Sequence, residues 1–102
     1  MARILITGGS GFIGTNLVEH YRLSGHQVIN LDIVPPRNPQ HAALWRKTDI
    51  LHRQGLIRAV IEADPEIVLH MAARTDLQGK CIGDYAANTH GLSNLIQALQ
   101  EV

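Results

Sequence analysis

One cysteine, Cys81, is all the thiol chemistry in this chain of 102 residues. It cannot form an internal disulfide, and a cysteine-rich zinc site is excluded with it. Aromatic residues are nearly as scarce, at 4%. Neither sign of charge prevails: 9 Lys and Arg stand against 9 Asp and Glu. A protein that grips a phosphate backbone normally carries a basic excess, so nucleic acid is not expected as a partner. Zero net charge also predicts weak colloidal repulsion at neutral pH. No apolar run approaches the ~18 residues of a membrane span. The opening Ile4-Leu5-Ile6 turns polar at Thr7 and is too short for a secretory leader. The expectation is a soluble, cytoplasmic protein with no membrane contact. Repeats and low-complexity tracts are missing as well.

The residues that are present suit a globular unit. The hydrophobic share is 45%, enough for one compact domain or part of one. Strand-like and helix-like segments alternate. Ile4, Leu5 and Ile6 form a short, wholly apolar run that suits a central parallel strand covered on both faces. From Phe12 to Ser24 the spacing becomes helical, with Ile13, Leu17, Val18 and Tyr21 as the apolar side and Gly25 where a helix stops. Val28, Ile29 and Leu31 read as a second strand ending at Asp32. Three prolines between Pro35 and Pro39 exclude regular hydrogen-bonded structure there. Ala43 to Lys47 reads as a third strand on position alone. Asp49 is expected to cap a helix from His52 to Ala63 whose stripe is Ile57, Val60 and Ile61. Ile67, Val68 and Leu69 make a fourth strand. A last helix, Ile82 to Glu101, carries Leu92, Leu95, Ile96 and Leu99. Right-handed crossovers then put helices on both faces of a parallel, doubly wound α/β sheet in the order 3-2-1-4. Such a sheet leaves its fourth strand with an open apolar edge. Residues 1–102 therefore read as slightly more than one half of such a doubly wound domain, a fragment of a longer protein.

The segment Gly8-Gly9-Ser10-Gly11-Phe12-Ile13-Gly14 carries most of the functional information. Gly9, Gly11 and Gly14 satisfy G-x-G-x-x-G, and Gly8, Gly11 and Gly14 also fit the wider G-x-x-G-x-x-G spacing. One glycine permits a tight turn with positive φ. Gly11 lets a pyrophosphate approach the backbone, and Gly14 lets the helix pack close to the strand. The amides of Phe12 and Ile13 then face the phosphates from a helix N-terminus. A glycine-rich βα turn also occurs without a ligand. Here, however, it follows a strand, opens a helix and meets an acid, Asp32, at the end of the next strand. The Asp32 carboxylate can accept hydrogen bonds from both ribose hydroxyls. A 2′-phosphate there would meet a like charge, at a cost of about 4 kcal/mol at 4 Å and an effective dielectric near 20. NAD is therefore expected over NADP, with the reach of Arg37 left open. A P-loop is excluded because Gly-Lys-Ser/Thr is absent. A nucleophile elbow on Ser10 fails because Phe12 stands where glycine is needed.

Together these residues resemble the extended short-chain dehydrogenase/reductases, and more narrowly the NAD-dependent nucleotide-sugar epimerases and dehydratases. Thr7 to Gly14 resembles the family's opening fingerprint. Asp49-Ile50 resembles its Asp-hydrophobic pair, which implies contact with adenine. His70-Met71-Ala72-Ala73 resembles its His-x-Ala-Ala segment, which implies a backbone along the cofactor at Met71, Ala72 and Ala73. The run Asn88 to Leu95 resembles Asn-x-x-Gly-x-x-Asn-Leu, with Asn88 propping the active-site backbone. The family's catalytic Tyr-x-x-x-Lys is absent: Tyr21 is followed by Gly25 at that spacing, and Tyr85 by Thr89. The resemblance thus implies NAD, a nucleotide-sugar substrate for the intact protein, and no turnover by these residues alone. It also implies a homodimer through the final helix, beside self-association through the open sheet edge. A non-catalytic dinucleotide sensor with a protein partner is the alternative.

Other candidates are weaker. No two of the six histidines, His20, His26, His41, His52, His70 and His90, stand four residues apart, and no metal site is expected. His70 reads as a buried strand-end histidine and Cys81 as a plain thiol. Arg74, Thr75 and Asp76 fall where strand four opens toward the cleft, and a solvated loop is as good a reading of them.

Overall fold

The computed structural model describes residues 1–72 and the helix Ala86–Gln100, with the side chains of that helix from Leu92 onward. The elements are β1 (Arg3–Thr7), α1 (Phe12–Leu23), β2 (Gln27–Asp32), a 3-10 helix (Pro39–Leu44), β3 (Trp45–Lys47), α2 (Arg53–Ala63), β4 (Ile67–His70) and α3 (Ala86–Gln100). The strands form one parallel sheet in the order β3-β2-β1-β4, as expected.

Strand geometry explains how β1 serves two cores. Successive side chains point to opposite faces. Leu5 joins Leu31, Ile50, Leu56, Val60, Leu95 and Ala98 on the face covered by α2 and α3. Ile4 and Ile6 join Val18 and Val28 on the α1 face. An apolar residue at every position of this run is what burial on both sides demands.

Several local expectations need correction. The third strand begins at Trp45, because Pro39 to Leu44 closes into a 3-10 helix. Its Asn38 side chain accepts from the Gln40 amide at 2.9 Å, a cap in the middle of the proline-rich stretch. Asp49 does not cap α2. His52 occupies the cap position without a side-chain bond, and the Asp49 carboxylate instead accepts from the Leu51 amide at 2.9 Å. The buried positions of α2 are Leu56 and Val60, while Ile61 is exposed. In α1 the buried positions are Gly14 and Val18, and Ile13 faces solvent. In α3, Leu95 and Ala98 are buried while Leu92 and Ile96 are exposed. Ile82 to Tyr85, the expected start of that helix, lie outside the described residues. Among the described residues no helix is long and apolar enough to cross a membrane.

Candidate functional site

Strand β1 has β2 on one side and β4 on the other. The chain therefore reverses its winding at β1, and a crevice opens above the carboxyl ends of the strands at such a switch point. A cavity of about 390 Å³ occupies that place. Gly8 and Gly11 form part of its floor, Asp32 to Val34 one wall, Thr48 to Leu51 a second, and Met71 and Ala72 a third.

The glycine turn is built around absent side chains. Gly8 has φ +72, and a Cβ there would lie 2.7 Å from the Ala72 nitrogen. A Cβ on Gly14 would lie 2.2 Å from the Gly8 carbonyl oxygen, so only glycine lets α1 start so close to β1. Gly11 differs, since its ideal Cβ meets only the Gly8 oxygen, at 3.5 Å. The space above Gly11 belongs to the cavity. Among the described residues, the amides of Phe12, Ile13 and Gly14 have no hydrogen-bond acceptor. They are the free donors of a helix start, where the helix dipole favours an anion. The Phe12 side chain itself points to solvent.

Strand β2 holds the turn in place. Buried Asn30 accepts from the Gly9 amide at 2.8 Å and donates to the Ser10 hydroxyl at 3.1 Å. Asp32 accepts from the Ser10 amide with Oδ2 and from the Val34 amide with Oδ1, each at 3.0 Å. Its carboxylate thus faces the glycine turn and still has lone pairs for a ligand. The Ser10 hydroxyl donates to the Val34 carbonyl at 2.7 Å. Arg37 reaches back over the prolines, and its Nε donates to the Ser10 carbonyl at 3.2 Å.

The opposite wall depends on Thr7. Its buried hydroxyl accepts from the Met71 and Ala72 amides at 3.1 and 3.2 Å. With both lone pairs used, it donates its proton to His70 Nδ1, 2.7 Å away. That bond places the ring proton of the neutral imidazole on Nε2. Burial pushes the His70 pKa below its ordinary value.

Of the residues expected to meet a cofactor, Gly8, Gly11, Asp32, Asp49, Ile50, Met71 and Ala72 line the one crevice. Phe12, Ile13 and Gly14 sit at its helix end. Ile50 is mostly core, and its carbonyl accepts from the Asn94 side chain at 2.9 Å, which ties α3 to this wall. Ala73 lies outside the described residues, as do Arg74, Thr75, Asp76, Cys81 and the Asn88 side chain. Sequence reasoning missed Thr7, Asn30 and Asn94 as supports. Asn30 had a signal, being an amide side chain in the buried phase of an apolar strand.

A model of the NAD dependent epimerase/dehydratase family matches residues 4–102. The chain belongs to the NAD-dependent epimerase/dehydratase family. Among its relatives, a 3-beta-hydroxysteroid dehydrogenase of Mycolicibacterium neoaurum is 35% identical over 99% of this chain and 29% of that protein. A dTDP-glucose 4,6-dehydratase of Neisseria meningitidis is 32% identical over 96% of this chain and 31% of its own length. The chain spans about a third of the curated relatives it matches. Among solved structures, the UDP-glucose 4-epimerase of Thermus thermophilus in complex with NAD superposes with a TM-score of 0.79 at 27% identity, covering 97% of this chain and 34% of that one. The Bordetella bronchiseptica enzyme WbmG in complex with NAD and UDP gives 0.81 at 29% identity, covering 98% of this chain and 34% of that one. Like the epimerase, the chain has the Rossmann-type sheet, here in the order 3-2-1-4.

Proposed function

We propose that this chain is the NAD-binding, N-terminal part of an epimerase/dehydratase that works on a nucleotide sugar. The observation that carries the reading is the open floor at Gly11, flanked by the free helix-start amides and faced by Asp32. A pyrophosphate fits that floor because no Cβ stands in it, and the ribose fits beside a carboxylate that keeps acceptor capacity. In this reading Gly8 and Gly14 fix the turn, and Phe12 and Ile13 donate their amides. Asp49 and Ile50 border the adenine, and Met71, Ala72 and Ala73 run along the cofactor. Asn88 supports the active-site backbone.

Bound NAD supplies a hydride acceptor for a secondary alcohol carbon of the substrate. This chain's residues bind and orient it. They hold no Tyr-x-x-x-Lys, so we assign the acid/base step to residues beyond these 102 and expect no turnover from them alone. The UDP bound to WbmG and the dehydratase relative support the nucleotide-sugar substrate. The hydroxysteroid dehydrogenase relatives favour a second substrate class, a sterol alcohol oxidised on the same cradle. NAD turnover by the full-length protein with UDP- or dTDP-sugars against 3β-hydroxysteroids separates the two. Cytoplasmic localisation is part of this proposal, since it puts the protein with its dinucleotide. So is self-association through α3 or the β4 edge.

Titrating the protein with NAD tests the cradle. Asp32→Ala and Gly11→Val are each expected to abolish saturable binding. Unchanged binding in either variant would falsify the site assignment.

A further inference from the structure

We propose that Asn94 of α3 is a positioning residue for the adenine end of the crevice: its bond to the Ile50 carbonyl aims the Asp49 carboxylate, and so makes the site choose a 6-amino purine over a 6-oxo purine. The inference rests on the NAD-binding reading, in which Asp49 and Ile50 border the adenine.

The wall that carries Asp49 is a short connection between β3 and α2, Thr48 to His52, without regular structure. Its first residue is tied to the sheet, where the Thr48 amide donates to the Asp32 carbonyl at 3.1 Å. Further along, the His52 amide donates to the Asp49 carbonyl and the Leu51 amide to Asp49 Oδ1, each at 2.9 Å. Those two bonds are internal to the loop and travel with it. Among the described residues, one side chain from elsewhere bonds to Asp49, Ile50 or Leu51. It is Asn94, whose Nδ2 donates to the Ile50 carbonyl at 2.9 Å. The next residue of α3, Leu95, packs with Ala98 and the Ile50 side chain in one core. The helix therefore holds Ile50 twice, by its side chain and by its carbonyl.

The carbonyl bond reaches the ligand side through one peptide plane. The Ile50 C=O and the Leu51 N–H belong to the same planar trans unit and point in opposite directions. Asn94 holds one end of that plane, and Asp49 Oδ1 accepts from the other. A plane free to turn would carry the Leu51 amide with it, and the carboxylate that leans on that amide. With Oδ1 so placed, Oδ2 finds no partner among the described residues, and Asp49 lines the crevice. Oδ2 is then the acceptor left for a ligand. The exocyclic amino group of adenine is a donor, whereas a 6-oxo purine presents an acceptor that a carboxylate repels. A hydrogen bond of this kind at an exposed carboxylate changes affinity by about three- to tenfold.

The test is calorimetric titration of the protein with NAD and with nicotinamide hypoxanthine dinucleotide, which has a 6-oxo group where NAD has the 6-amino group. The wild type is expected to prefer NAD by about three- to tenfold. Asn94→Leu keeps the volume and removes the donor, so the preference should fall toward one. Asn94→Asp removes the donor within the same shape and should do the same. Asn94→Gln, which keeps an amide donor, should restore part of the preference. Leu95→Ala loosens the same helix without touching the bond, so it should lower the melting temperature and keep the preference. In an Asp49→Ala background, Asn94→Leu should change the ratio no further, as expected of a residue that acts through Asp49. An unchanged ratio in either donorless variant overturns the role of Asn94. So does a Leu95→Ala protein that loses the preference equally, or an Asn94 effect that persists without Asp49. A wild type that binds both dinucleotides alike also overturns it and leaves the NAD reading standing, whereas a wild type that binds neither overturns the cofactor reading itself.

Discussion

Gly11 and Gly14 stand three positions apart in the same turn, yet a methyl group means different things at each. At Gly14 it would overlap the Gly8 carbonyl oxygen, 2.2 Å away, and the Gly9 Cα, 2.7 Å away. Both obstacles are backbone, so the turn itself must move. Gly14→Ala should cost about 1–3 kcal/mol or more, as overpacking does. At Gly11 the nearest atom is 3.5 Å off and φ is an ordinary −77. Gly11→Ala should stay within about 1 kcal/mol of wild type, the scale of a lost cap preference. Its methyl group nevertheless stands where the pyrophosphate would lie, so NAD affinity should fall while the melting temperature barely moves. Thermal melts paired with NAD titrations decide the matter, and a Gly11→Ala protein that binds NAD normally would remove the phosphate from this floor. Thr7 offers a second test. Thr7→Val leaves the half-buried Ala72 amide without its acceptor, whereas the Met71 amide keeps the Thr7 carbonyl at 2.9 Å. The expected loss is about 1–3 kcal/mol. The Thr7 partner, His70, carries a pH dependence. Its folded pKa is depressed by burial, so the folded state resists protonation. Stability from this group is complete above the ordinary histidine value near 6.5 and declines as pH falls through the lower folded value. Urea midpoints between pH 7 and 5 should therefore drop more in wild type than in His70→Gln. Equal slopes would mean that His70 does not titrate between the two states.

At the scale of elements, α2 ends on a strained residue. Asp64 has φ 44 and ψ 58, in the left-handed region, directly before Pro65. Its carboxylate approaches Arg3 at 3.6 Å, but both side chains are largely exposed, so the pair contributes little. Asp64→Gly relieves the backbone strain and should raise stability by about 0.5–1 kcal/mol, measurable as a higher melting temperature. A fall would show that the Arg3 contact outweighs the strain. The same helix shows what could be read in advance. The existence of α2, and of β1, β2 and β4, follows from apolar periodicity and turn residues, which are local, whereas β3 was legible by position alone. Which α2 residues enter the core does not. Leu56 rather than Ile61 is buried because α3 arrives over that face from far along the chain. The 3-10 helix escaped notice for a similar reason. Its own Asn38 and buried His41 are held by Glu19, a partner contributed by the distant α1. The glycine turn and Asp32 were legible because a tight βα turn needs particular residues wherever it occurs. Arg37 was not, since its reach depends on how Pro35 and Pro36 steer the chain.

Across the whole molecule, the two edges of the sheet are unlike. The β3 edge is three residues long, and its exposed Arg46 and Lys47 oppose strand addition. Among the described residues, β4 has no neighbour beyond β1, and its only titratable side chain is His70. Ile67 on that strand is 46% exposed. On α3, Leu92 and Ile96, one helical turn apart, are 42% and 49% exposed. With net charge zero, no long-range repulsion keeps copies apart at neutral pH. The 102-residue chain should therefore associate as its concentration rises, and sedimentation velocity reads this directly. Ile67→Lys charges the strand edge, and a double change of Leu92 and Ile96 to Glu charges the helix face. If the edge drives association, the first variant alone returns the chain to monomer; if the helix does, the second does. A wild-type chain that stays monomeric at high concentration would mean that neither surface is sticky enough to matter. The open edge would then be tolerated, as a short strand with few free backbone groups can be.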